Sequence, residues 1–224
     1  MWRASLDLPA ARLQSLEGIL SADERVRAER FLFRRDRARF VAARGTLRIL
    51  LGRYMSIDPG YIRFSYGPRG KPALATRSCA PITFNVSHSE ERALYVVADG
   101  REVGIDVEHV RSFAGWQDVA GRFFSPREIG RLTSFPDQAI PALFFQYWTR
   151  KEAYLKAVGD GLVRPLHEVD VSWEAGEGTG FHIHEASLDG AQWCVIDLTP
   201  APGYAAALAF SGSVPRLGFW ECRV

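Results

Sequence analysis

Lysine is nearly missing from this chain. Its 224 residues carry 28 basic side chains, of which only Lys71, Lys151 and Lys156 are lysine. Cysteine is equally scarce, with Cys79, Cys194 and Cys222 far apart and odd in number. That spacing fits neither a disulfide framework nor a metal knuckle, and leaves buried free thiols as the expectation. No apolar run is long enough to span a bilayer, and the first residues lack a signal-peptide pattern. The expected location is therefore the cytoplasm, with no membrane contact. Long linkers, low-complexity tracts and short repeats are also missing.

What is present describes an ordinary globular protein. An apolar fraction of 47% and six tryptophans supply ample core for one large domain or two small ones. The net charge of +2 hides an uneven distribution, because Ser21 to Arg53 holds ten Arg against four acids. Such an excess points to an anionic ligand or partner. Nucleic acid is one candidate on electrostatics alone, but no helix-turn-helix, zinc finger or aromatic stacking platform accompanies the arginines. A small phosphorylated ligand fits the same charge and demands less surface.

Taken in order, residues 9–20 form a short amphipathic helix with Leu13, Leu16 and Leu20 inward. Ser21 with Glu24 three residues later is a capping-box signature for a second helix, carrying Arg25, Arg27, Arg30, Arg34 and Arg35. A third helix over about residues 36–54 buries Phe40, Leu47, Leu50 and Leu51 and shows Arg37, Arg44 and Arg48 elsewhere. Residues 61–65 alternate as a strand, and the Gly/Pro-rich loop after it presents Arg69 and Lys71 as a phosphate clamp. Residues 82–98 read as a hairpin whose first strand carries the short polar side chains of Asn85 and Ser87, then His88. A lone histidine in such a place is more often inert than functional.

Val103-Gly104-Ile105-Asp106-Val107-Glu108 reads as a strand with Ile105 and Val107 on one face and the two carboxylates on the other. Neighbouring carboxylates repel, so they belong at an exposed edge or around a cation. Hard oxygen ligands of this kind suit magnesium. Residues 111–124 read as irregular, with exposed aromatics that offer a partner surface. Ser125-Pro126 starts a helix and Phe135-Pro136 breaks it. The long helix that follows buries Leu143, Tyr147, Tyr154, Leu155 and Val158 and ends at Gly159. Trp148, Glu152 and Lys156 stand four apart on one of its faces.

A Glu/Lys pair at that spacing is ordinarily a surface salt bridge. Two of three lysines in one helical turn of an Arg-rich chain instead argue for a compact ammonium there. Glu152 added to Asp106 and Glu108 would give three carboxylates around one metal. Strands are expected at about 168–173, 179–186, 191–198, 203–210 and 216–221. His182 and His184 share a strand face without a third ligand, and are read as structural. The class is α+β, with each half running from helices into antiparallel strands.

Four motifs stand in order: Gly70-Lys71-Pro72, Asn85-Val86-Ser87-His88-Ser89, Gly104-Ile105-Asp106-Val107-Glu108 and the run from Trp148 to Lys156. Together with Arg122-Phe123-Phe124-Ser125 and Gly159-Asp160-Gly161-Leu162, the set resembles the signature of the Sfp-type 4′-phosphopantetheinyl transferases over about residues 20–170. That resemblance implies two similar α+β halves, each an antiparallel sheet packed against helices. They would form a pseudo-twofold monomer with the active site in the cleft between them. The halves would be residues 1–103 and 104–224. It also implies transfer of phosphopantetheine from coenzyme A, the co-substrate, to a serine of an apo acyl or peptidyl carrier protein.

Carried over by motif, Asp106, Glu108 and Glu152 would hold Mg2+. Glu152 and Lys156 would act in catalysis. Arg27, Arg44, Arg69, Lys71, Asn85, Ser87 and His88 would bind the nucleotide. The hydrophobic segment after Glu108 would suit docking of a carrier-protein helix. Two other classes use the same residues: a different magnesium-dependent nucleotide enzyme, and a module that grips coenzyme A or a carrier protein without transfer. Nucleic acid and membrane are not expected partners.

Overall fold

The computed structural model describes residues 1–67, 70–75, 81–159, 165–172, 181–183, 193–213 and 216–222. Arg69, Cys79, His184 and the Asp160-Gly161-Leu162 run lie outside that set. The architecture is α+β, with antiparallel-rich sheets packed on helices.

The first sheet has the order β10-β1-β5-β4, from strands Trp2–Ser5 (β1), Ile82–Ser89 (β4), Arg92–Asp99 (β5) and Trp220–Glu221 (β10). Its members pair antiparallel except for β10, which runs parallel to β1. Helices Ala10–Gly18 (α1), Ala22–Glu29 (α2) and Arg34–Met55 (α3) belong to this region. Leu16, Val41, Leu47, Leu50 and Leu51 form a core with Phe84, Ala93 and Tyr95 of the sheet. A two-stranded ribbon, Phe64–Tyr66 (β2) with Pro72–Leu74 (β3), brackets the glycine-rich loop.

The second sheet, β6-β9-β8-β7, is built from Val103–His109 (β6), Phe181–Ile183 (β7), Trp193–Leu198 (β8) and Tyr204–Ser211 (β9). Side-chain alternation divides it between two cores. Trp193, Val195, Ala207 and Ala209 face helices Trp116–Phe123 (α4), Pro126–Thr133 (α5) and Ile140–Val158 (α6). Cys194, Ile196, Ala206, Leu208 and Phe210 face the other way, joining Val103, Ile105 and Val107 of β6 and Leu94 and Val96 of β5. This shared core binds the two sheets to each other. Cys194 and Cys222 are buried free thiols. Among the described residues, no helix is long and apolar enough to cross a membrane.

Several sequence expectations are corrected. Arg34 and Arg35 open α3 instead of closing the second helix, because the chain leaves helical geometry at Phe31–Phe33. The strand expected at 61–65 starts only at Phe64, since Pro59–Tyr61 folds as a 3₁₀ turn capped by the Asp58 side chain. The irregular stretch at 111–124 contains α4, with Phe124 buried and Phe113, Trp116 and Phe123 packed on the core. Residues 168–173 form no strand over their described part, 168–172. Their alternation is real, since Val169 and Val171 are both buried. Side chains from α5 and α6 bond their backbone in place of a neighbouring strand.

Candidate active site

β4 and β6 are edge strands of different sheets, and they meet without a backbone ladder. Side chains from β4 supply the missing bonds. Asn85 Oδ1 accepts from the Ile105 N–H at 3.0 Å, Ser87 Oγ from Val107 N–H at 3.4 Å, and Ser89 Oγ from His109 N–H at 3.1 Å. Strand alternation sends all three to one side, and the same alternation sends Asp106 and Glu108 to the face opposite Ile105 and Val107. Gly104 lets this face press on α6. A Cβ there would collide with the Ala153 carbonyl oxygen and the Ala157 nitrogen, and lie 2.8 Å from the Lys156 carbonyl carbon.

This close approach delivers Lys156 to Asp106. Lys156 Nζ stands 2.6 Å from Asp106 Oδ1 and donates to Ser87 Oγ at 3.0 Å, while Ser87 Oγ donates to Asp106 Oδ1 at 2.7 Å. Asp106 is buried, and its Oδ2 has no hydrogen-bond partner. An orphaned buried carboxylate oxygen is costly unless a cation or donor comes to it. Glu108 and Glu152 feel the same pressure. Burial pushes both above the ordinary glutamate range, and the Asp106 charge adds to it in each case. Ser89, hydrogen-bonded to Glu108 Oε2 at 2.8 Å, and Lys156 oppose the rise at Glu108. Three acids of hard-oxygen character thus gather within electrostatic reach of one another, which fits a divalent cation such as magnesium. Among the described residues, however, no three acid, His or Cys side chains stand in metal-ligating arrangement as they are. Lys156 and Ser87 occupy Asp106 Oδ1, and Ser89 occupies one oxygen of Glu108.

Cations surround the same space. The His88 imidazole is solvent-accessible but crowded by protein, so desolvation first, and then the charges of Lys156, Arg27 and Arg39, hold its pKa below the ordinary value. Arg27 lies over the Phe40 ring and lines an open groove with Asp23, Val26, Arg30, Phe31 and Tyr66. Arg44 is less free than the sequence suggested. It is buried, pairs with Glu24 at 2.8 Å, packs on the Phe64 ring and hydrogen-bonds the Tyr66 hydroxyl. Glu24, the capping-box acid of α2, also takes Arg48 at 2.6 Å. Lys71 reaches across to the end of α6, within 3.4 Å of the Ala157 carbonyl oxygen, and faces Glu102 at 3.5 Å.

The two lysines of α6 part company. Lys151 is completely buried away from the acids, paired with Glu128 at 2.9 Å and donating to the carbonyls of Leu166 and Val169. Glu128 in turn accepts from Val171 N–H at 2.7 Å and from Ser125 N–H at 2.7 Å, closing a capping box at the start of α5. Only Lys156 serves the acid cluster. The sequence reading missed Ser89 and the packing role of Gly104. Ser89 could have been found from its offset, two residues after Ser87 as Glu108 is two after Asp106.

Comparison with known proteins agrees with this arrangement. Residues 7–100 match the family model described as 4′-phosphopantetheinyl transferase, N-terminal, and residues 102–209 match the 4′-phosphopantetheinyl transferase superfamily. The chain is 41% identical over 222 residues to the 4′-phosphopantetheinyl transferase HetI of Nostoc sp., covering 99% of this chain and 91% of that protein. It is 32% identical over 165 residues to a 4′-phosphopantetheinyl transferase of Bacillus subtilis, covering 73% and 71% of the two chains. AcpT of Salmonella typhimurium, also named a 4′-phosphopantetheinyl transferase, is 37% identical over 112 residues, half of this chain and 56% of its own. With nearly its whole length matched, the chain belongs to the 4′-phosphopantetheinyl transferase family and is a transferase enzyme of that type.

Proposed function

We propose that the enzyme moves the 4′-phosphopantetheine arm of coenzyme A to a serine hydroxyl of an apo acyl or peptidyl carrier protein, releasing adenosine 3′,5′-bisphosphate. The observation that carries this reading is the meeting of Lys156, Asp106, Glu108 and Glu152 where β6 crosses α6, beside the cations of the first sheet's helices. Phosphoryl transfer asks little covalent help of a protein and much positioned charge.

Asp106, Glu108 and Glu152 would hold Mg2+, which supplies charge neutralisation at the pyrophosphate oxygens when bound. Arg27, Lys71, His88 and Arg69 would bind the nucleotide's phosphates, with Arg44 steadying Tyr66 at the groove. Lys156 offers its ammonium to the leaving phosphate. As the serine oxygen bonds to phosphorus and the pyrophosphate P–O bond breaks, the serine proton needs an acceptor. Glu152 takes it, directly or through one water. Residues 1–103, joined by the C-terminal strand β10, and the rest of 104–224 act as two halves of a monomer, the cleft between them receiving coenzyme A, in the cytoplasm and without nucleic acid or membrane. The hydrophobic segment after Glu108 would meet the carrier protein.

Chromatography of the nucleotide products tests this. Adenosine 3′,5′-bisphosphate should accumulate only when apo carrier protein, coenzyme A and magnesium are all present. Release without carrier protein would instead indicate a nucleotide-cleaving enzyme.

A further inference from the structure

β4 and β6 carry a second regularity at their seam. Ser87 Oγ accepts the Val107 N–H and donates to Asp106 Oδ1 at 2.7 Å; Ser89 Oγ accepts the His109 N–H and donates to Glu108 Oε2 at 2.8 Å. The two units are one device repeated at a two-residue step. A serine on one edge strand holds the amide and the neighbouring carboxylate of the other. Each hydroxyl has one proton, and that proton points at an acid.

From this geometry we infer that Ser87 and Ser89 are positioning residues for the two carboxylates of β6. Ser87 Oγ is buried and fully committed: it donates to Asp106 and accepts from Lys156 and Val107. With Oδ1 held by Ser87 and Lys156, the free Oδ2 is the oxygen of Asp106 left for a metal. Ser89 fixes Glu108 in the same way, leaving its other carboxylate oxygen for the ion. Hydroxyls that orient metal ligands from behind typically govern affinity about 10–100-fold. Asn85, at the head of the same row, spans the seam to Ile105 but reaches no acid. It therefore belongs to the joint and not to the ion site.

The inference rests on the proposed metal role of Asp106 and Glu108, and the test separates the two. Mn2+ binding to the free enzyme is measured by electron paramagnetic resonance in the wild type, Ser87→Ala, Ser89→Ala, Ser89→Thr and the double alanine variant. Adenosine 3′,5′-bisphosphate binding is measured without metal by calorimetry, and folding by thermal melting. The expected result is a loss of Mn2+ affinity of about tenfold for each alanine variant. The double variant should lose more, Ser89→Thr should recover, and nucleotide affinity should stay unchanged in Ser89→Ala. Wild-type Mn2+ affinity in folded alanine variants would overturn the inference while leaving the metal reading intact. Loss of nucleotide affinity in Ser87→Ala with Mn2+ affinity preserved would return Ser87 to the phosphate site. No Mn2+ binding by the wild type would overturn the metal reading itself, and the inference with it.

Discussion

Lys156 Nζ lies 2.6 Å from Asp106 Oδ1, joining the end of α6 to the middle of β6. The ammonium is partly exposed and the carboxylate is buried. Removing the ammonium leaves three acids together with one fewer cation. Lys156→Ala should slow transfer by about 10²–10³-fold, the scale of losing one preorganised charge at a reacting centre. Coenzyme A affinity should fall far less. Single-turnover kinetics beside equilibrium binding separate the two effects, and equal losses would reduce Lys156 to a binding residue.

Gly104 sets how near β6 lies to α6. Gly104→Ala puts a methyl group against the backbone of Ala153 and Ala157, which cannot yield as a flexible side chain would. We expect a loss of about 1–3 kcal/mol from overpacking, together with a fall in transfer larger than that destabilisation explains at temperatures where the protein stays folded. Denaturant melts and activity on one preparation measure both; a fully active variant would show that Asp106 and Lys156 do not need this spacing.

Glu128 and Lys151 are completely buried partners. Breaking such a pair strands a charge, at a cost of about 3–5 kcal/mol. Glu128→Ala should therefore lower the melting temperature sharply and expose the 165–172 segment to proteolysis, because Lys151, Glu128 and Arg150 bond its backbone. Unchanged protease resistance would contradict the clasp.

His88 gives a pH dependence with a defined sign. Its folded pKa lies below the unfolded value of 6.5, through desolvation first and then Lys156, Arg27 and Arg39. Stability associated with the neutral imidazole is present above 6.5 and lost as pH falls through the folded pKa. Wild type should lose more thermal stability than His88→Gln between about pH 7.5 and 5.5. A phosphate among these cations favours the charged ring, so coenzyme A affinity of the wild type should gain on that of His88→Gln over the same window. Parallel profiles for the two proteins would remove His88 from the phosphate site.

How much of this was legible beforehand depended on range. Strand period placed Asp106 and Glu108 opposite Ile105 and Val107, and helical period put Glu152 and Lys156 on one face. Both are local rules, and both hold. Helix α4 was hidden because it is only eight residues long, is entered through Gly115 at φ +82° and has Gly121 inside it. The alternation of Val169 and Val171 suggested a strand, since burial on a core looks the same whether the backbone bonds a ladder or the side chains of Arg150, Lys151 and Glu128. Arg44 looked like a free cation until folding brought it to Glu24. The two-residue step of the β4 serines matches that of Asp106 and Glu108, but the register that brings these two unpaired edges together is one that no local pattern encodes.

The most direct test of the central claim is the intact mass of an apo carrier protein after incubation with the enzyme, coenzyme A and magnesium, with Asp106→Ala run in parallel. The account predicts the mass gain of one phosphopantetheine group with the wild type and none with the variant, whose melting curve should still show a folded protein. An equal gain with Asp106→Ala would remove the acid cluster from the chemistry. No gain with the wild type across acyl and peptidyl carrier proteins, while coenzyme A still binds, would contradict transfer as this chain's activity.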